Sequence, residues 1–174
     1  LIGIIIMAGI RSLDLPTSPR AAVFRAMEQI VRENPVFGRV VKPDNFRTWQ
    51  GHPRDSKPFD QSNAPALRWT PMNTGEEFRT PDTMAGDLLI NCEIICRGSC
   101  CDDLTNFWWM LTRCFYPIQT ASTSINTIVS TLQAAGARSG LVKFSQPAFD
   151  PGPDGVFFAG QGQLKIEIQS NLSS

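Results

Sequence analysis

Asp87-Leu-Leu-Ile-Asn-Cys-Glu-Ile-Ile-Cys-Arg97 and, after a Gly98-Ser99 break, Asp102-Asp-Leu-Thr-Asn-Phe-Trp-Trp-Met-Leu-Thr-Arg-Cys-Phe115 decide the fold class. In the first stretch Leu88, Ile90, Cys92, Ile94 and Cys96 fall on one side of a period-two pattern. Leu89, Asn91, Glu93 and Ile95 fall on the other. Alternation of this kind predicts a strand with one wholly apolar face. In the second stretch Leu104, Phe107, Trp108, Leu111, Cys114 and Phe115 recur at helical spacing, and Pro117 stops the run. A strand and a helix that each carry one apolar side bury them against each other, which predicts an α+β domain with helices on one face of a sheet.

Working towards the N-terminus, Ser18-Pro19 opens a helix predicted to run to about Asn34. Serine is a good cap and proline fits the first helical position. Val23, Ala26, Met27, Ile30 and Val31 form its apolar stripe, and Asn34-Pro35 ends it. Residues 42–65 hold four prolines and read as a long loop carrying Phe46, Trp49 and Phe59. Ala66–Met72 reads as a strand, and residues 73–86 as a second polar loop.

Towards the C-terminus, a third helix is predicted over Ser124–Ala135, with Gly136 just past its end. A short strand follows over Leu141–Gln146, then a Pro/Gly turn at 150–155. A last strand covers Val156–Gln169, where Gly160 and Gly162 mark a bulge or bend. The expected order is α-β-β-α-α-β-β, with a largely antiparallel or mixed four-stranded sheet. The expected organisation is an N-terminal arm, 1–18, and one domain, 19–174.

The chain has 174 residues, 42% hydrophobic and 18% charged. That composition supplies a core and excludes a disordered chain. Sixteen basic and sixteen acidic residues give no net charge, and the Lys and Arg are spread along the chain. Neither specific nucleic-acid binding nor attachment to a membrane surface is expected from such a distribution. Zero net charge also removes the repulsion that keeps monomers apart, which favours life in an assembly. The first ten residues, LIGIIIMAGI, are apolar but too short to span a bilayer. They lack the basic flank and small-residue cleavage site of a signal peptide. An arm tied to a neighbouring chain is the expectation, with Ile4, Ile5 and Ile6 as its contacts.

The residues with chemical potential have ordinary structural readings. Cys92, Cys96, Cys100 and Cys101 raise the question of zinc. Within a strand, however, Cys92 and Cys96 point the same way and stand too far apart to share an ion easily. Small buried core residues are the favoured reading. His52, in Gly-His-Pro, is the sole histidine and has no cysteine near it in sequence. Asp102 and Asp103 suit a helix start, where carboxylates cap and complement the dipole. Glu76-Glu77 lies in a polar stretch. Gly160-Gln-Gly162 lacks the rest of a phosphate loop. No catalytic residue, metal site or cofactor is expected.

The aromatic surplus is more telling. Trp109 and Met110 fall outside the main stripe of the 102–115 helix and widen its apolar face. Together with Phe46, Trp49 and Phe59 they are the candidate subunit contacts, since aromatic anchors are typical of protein interfaces. The competing expectation is that they tuck onto their own domain.

One pattern spans roughly residues 19–116. A capped helix precedes a loop with Trp49-Gln-Gly51 and Asp55. Then come Ala64-Pro-Ala-Leu-Arg-Trp-Thr-Pro71, a polar stretch, the strand Leu88–Gly98, and Asp102-Asp103-Leu104 opening a helix. This resembles the tail terminators and related head-to-tail joining proteins of long-tailed phages. The helix at Ser124–Ala135 and the apolar start have no counterpart in that pattern. The resemblance implies a structural virion protein, made in the host cytoplasm and placed at the tail–neck junction. It implies a ring, commonly of six copies, that caps the tail tube and meets a neck or connector protein. Another neck subunit, a stopper or adaptor, fits the pattern too. From a different class, a small cytosolic enzyme using His52, Asp55 or the Asp102/Asp103 pair, or a zinc-binding adaptor, are the alternatives.

Overall fold

A computed structural model describes residues 18–48, 63–72, 76–80, 83–97, 102–118, 124–145, 147–151 and 157–171. Its first element is α1, Pro19–Glu33, capped by the Ser18 hydroxyl, which accepts from the Ala21 amide at 3.2 Å. Val23, Met27 and Val31, one turn apart, are fully buried. Asn34 ends α1 in an extended conformation, as expected of a residue before proline. That same conformation is the one an N-cap needs. The Asn34 side chain accepts from the Val36 and Phe37 amides at 3.0 and 3.1 Å and opens a second helix, α2, Pro35–Val40. Sequence reading stopped at the proline and missed this helix.

The 42–65 stretch also contains more structure than a loop. A 3₁₀ turn at Pro43–Asn45 leads into β1, Phe46–Thr48, which pairs in parallel with β2, Ala66–Met72. Phe46 is therefore core, 3% exposed, and cannot offer area to a partner. It sits edge-on to Trp69 at 5.0 Å and to Phe37 at 5.5 Å. Arg32 covers its ring at 4.6 Å, bonds Glu28 at 2.8 Å and donates to the Phe46 carbonyl at 3.1 Å. The residue expected at a contact is instead sealed by a charged pair from α1.

Among the described residues the sheet has seven strands, not four. β3, Glu76–Thr80, and β4, Thr83–Arg97, form a hairpin within the polar stretch 73–86 that reads as a loop. Its sequence is too polar to show the apolar alternation that marks a half-buried strand. β5 is Ala137–Phe144, β6 Ala148–Pro151 and β7 Phe157–Asn171. The order is β1-β2-β4-β7-β5, with β3 alongside β4 and β6 alongside β7. The β1–β2 pair is parallel and the remaining pairs are antiparallel, so the sheet is mixed.

β4 and β7 pair from Thr83↔Asn171 to Arg97↔Phe157 with no shift of register. The bulge expected at Gly160 and Gly162 is absent. Gly162 answers a different need, because a Cβ there would stand 2.4 Å from the Trp108 ring. The register shift lies instead between Ala137 and Val142 of β5. Gly140 takes φ +69° there, and a Cβ on it would meet the Val129 carbonyl at 2.7 Å.

α3, Asp102–Phe115, and α4, Ile125–Ala134, follow the sequence reading closely. Ser124 caps α4, and Gly136 leaves it at φ +113°. The buried side chains of α1, α3 and α4 meet Leu88, Ile90, Cys92 and Ile94 of β4 and Leu164, Ile166 and Ile168 of β7 in one core. The opposite face of the sheet mixes charged and polar side chains with a few apolar ones such as Leu89 and Ile95. There Arg68–Glu93 at 3.0 Å, Lys165–Asp87 at 2.7 Å and Lys143–Glu167 at 3.2 Å cross from strand to strand. Such pairs suit a water-facing sheet surface. None of the described helices is long and apolar enough to cross a membrane.

Candidate interaction site

Two surface features stand apart from the core, both built on the α2–α3 side. The first is a cleft of about 270 Å³ where α2, the start of α3 and the end of β4 converge. Val40 of α2, Pro65, and Phe107 and Met110 of α3 give it an apolar lining. Arg97, Asp103 and Asn106 supply polar groups, and Cys96 closes the side towards the sheet. Val36 and Val40 on α2 are 58% and 44% exposed. They escaped the sequence reading because α2 itself did.

The second feature is Trp109, 61% exposed on α3. The Arg113 guanidinium lies 5.6 Å from its ring, one helical turn on. At 100° per residue, Trp109 points well away from Met110 and the cleft. The two residues that widen the α3 face therefore part company. Met110 is half-buried against the core, and Trp109 stands in solvent. Of the other candidate contacts, Phe46 is core, as described. Ile4, Ile5, Ile6, Trp49 and Phe59 lie outside the described residues.

The residues with catalytic or metal-binding potential do not converge among the described residues. No three His, Cys, Asp or Glu side chains there come close enough to hold one ion. His52, Asp55, Cys100 and Cys101 fall outside the described residues. Glu76 and Glu77 belong to β3. Asp102 and Asp103 lie in the first turn of α3, where the helix dipole favours them.

Cys92, Cys96 and Cys114 are free and buried. Burial pushes the Cys114 thiol up to about 12. Burial does the same to Cys96, also to about 12, and the Asp103 carboxylate beside it pushes the same way. Cys92 is raised further still by burial, against a small opposing pull from the Trp69 indole. A nucleophile must be a thiolate, so these groups are packing residues at neutral pH.

The raised thiols make stability depend on pH at the alkaline end. Below the ordinary thiol value of 9.0 both folded and unfolded chains keep the proton, and the contribution is fully present. Above it the unfolded chain loses protons that the folded chain retains until about 12. Each such thiol then lowers stability by ~1.4 kcal/mol per pH unit. Tyr116 adds to the trend: burial raises its phenol, which donates to the Val142 carbonyl at 2.7 Å. The urea midpoint at about pH 10.5 will lie far below that at about pH 7. Equal midpoints would show that the thiols are not held protonated.

Compared with known proteins, the chain matches no protein-family model and no curated protein.

Proposed function

We propose that this chain is a structural subunit that acts by binding copies of itself and neighbouring proteins in a closed assembly, without a chemical step. The observation that carries the reading is Trp109. Trp109 is 61% exposed with the Arg113 guanidinium near its ring, and tryptophan and arginine are among the residue types enriched at the energetic centres of protein interfaces. A partner would remove that apolar area from water. The exposed valines Val36 and Val40 lie on α2, which packs against the helix that carries Trp109.

Within that class, the reading is a tail terminator of a tailed phage. Its ring would cap the tail tube and meet the neck connector, with its place in the virion at the tail–neck junction. Element order supports this. A capped helix, the Pro-containing strand Ala66–Met72, the long strand ending at Arg97 and an acid-led helix occur in the sequence expected of that family. Closed rings use head-to-tail contacts that return on themselves, so two different surfaces of each copy must match.

Trp109→Ala tests the reading. The site is exposed and alanine is a good helix former, so thermal stability should shift by no more than ~0.5 kcal/mol. Self-association, followed by sedimentation across a concentration series, should weaken by ~30-fold or more, the loss expected when a tryptophan hot spot of ~2 kcal/mol is truncated. Unchanged association of a well-folded variant would remove Trp109 from the interface. Pull-down against tail-tube and connector proteins then separates a terminator, which binds the tube, from a stopper or adaptor, which binds only the connector.

A further inference from the structure

We infer that the cleft between α2 and α3 receives the apolar N-terminal arm, Ile4-Ile5-Ile6, of a second copy of this chain. The inference rests on the self-assembly reading and names the contact that would serve it. The cleft lining is mainly aliphatic, aromatic and thioether, from Val40, Pro65, Phe107 and Met110. Its volume of about 270 Å³ lies just under the range of small-molecule sites, ~300–1,000 Å³, and accommodates a few aliphatic side chains. The polar groups at Arg97, Asp103 and Asn106 can meet the amides and carbonyls of an extended backbone, which aliphatic side chains alone leave unserved.

Position argues for a second copy. Residues 1–17 join the domain at Ser18, the start of α1. Pro19 lies against Gly136, whose carbonyl accepts from Gln169, and Gln169 is paired with Ala85 near the start of β4. The cleft is built on Cys96 and Arg97, at the far end of the same strand. At the ordinary rise of a strand the two places are roughly 35 Å apart. The arm thus leaves at one end of the sheet, and the receptor opens at the other. A head-to-tail contact brings those two ends together between neighbours. From Ser18 back to Ile4–Ile6 the extended chain reaches on the order of 40–50 Å, so length permits an arm's own cleft as well as a neighbour's, and the test below separates the two.

The test uses full-length chains and a labelled synthetic peptide of residues 1–17. In one variant, Ile4→Asp, Ile5→Asp and Ile6→Asp are combined. In a second, Val40→Asp is added to that triple change. Val40 is 44% exposed, so its replacement leaves the fold intact. Asn106→Trp, which fills the cleft from an exposed position, replaces Val40→Asp if that variant does not fold. The triple variant should self-associate at least tenfold more weakly than the unaltered chain. The peptide should bind it saturably, and bind the cleft variant at least tenfold more weakly. A triple variant that assembles as the unaltered chain does would overturn the inference while leaving assembly standing. A peptide that binds both variants equally, or neither, would overturn the cleft as receptor. An unaltered chain that stays monomeric, while the peptide still binds the triple variant, would mean that each arm folds onto its own cleft. That also overturns the second-copy contact, and with it the self-assembly reading. A monomeric unaltered chain with no peptide binding overturns both.

Discussion

Gly162→Ala will destabilise the protein by ~2–3 kcal/mol, and Gly162→Val by more. A Cβ at this position would stand 2.4 Å from Trp108 Cη2, 2.8 Å from Cζ3 and 2.9 Å from Cζ2. The obstacle is the rigid edge of an indole, not the free end of a flexible chain. Trp108 cannot retreat easily, since it is 9% exposed and held edge-on to Phe144 at 5.7 Å. Inserting even one carbon into a filled core forces side chains off their rotamers or moves backbone, at ~1–3 kcal/mol. β7 has no slack either, because its pairing with β4 runs unbroken from end to end. A double-mutant cycle with Trp108→Phe isolates the cause. The smaller ring should recover most of the loss at Gly162→Ala, so that the two changes are strongly non-additive in urea unfolding. Additive losses would locate the cost in the strand backbone instead.

Trp69→Ala is the second large effect, at ~3–5 kcal/mol, the usual loss for truncating a buried large aromatic. Trp69 is fully buried and touches rings from three directions. Phe46 lies edge-on at 5.0 Å, Phe24 edge-on at 6.3 Å, and Phe115 stacked at 6.4 Å. These rings belong to α1, β1 and α3, so the residue ties three elements to the centre of the sheet. Its indole N–H finds no oxygen or nitrogen acceptor among the described residues. It faces the Cys92 thiol, directly across the β2–β4 ladder. Trp69→Phe should therefore lose little hydrogen bonding and be much milder than alanine. A phenylalanine variant as unstable as the alanine one would show that the N–H···S contact outweighs the ring packing.

The sequence made the central layer legible because burial imposes a period on it. Leu88 to Cys96 alternate against a core and Leu104 to Phe115 repeat at helical spacing. Ser18-Pro19 marked the start of α1. What escaped was structure too short, or too polar in sequence, to show a period. The β3–β4 hairpin is polar, β1 is three residues long, and α2 begins at a proline that reads as a stop. Gly162 misled in another way. Its missing side chain makes room for the ring of Trp108, which lies on another element far away in sequence, so only the folded contact reveals it. The candidate contacts divided on the same principle. Trp109 and Phe46 are alike in sequence terms, yet one is 61% exposed and the other 3%. Amphipathic spacing placed Trp109 off the core side of α3. Phe46 was sealed by Arg32 and Trp69, which are distant in sequence.

The central claim is that this chain works by joining copies of itself. Its most direct test is the mass of the 174-residue chain in solution across a wide concentration range. One discrete closed oligomer of the 19.2 kDa chain is the expected result, resisting further growth as concentration rises. A chain that remains at 19.2 kDa throughout would contradict it.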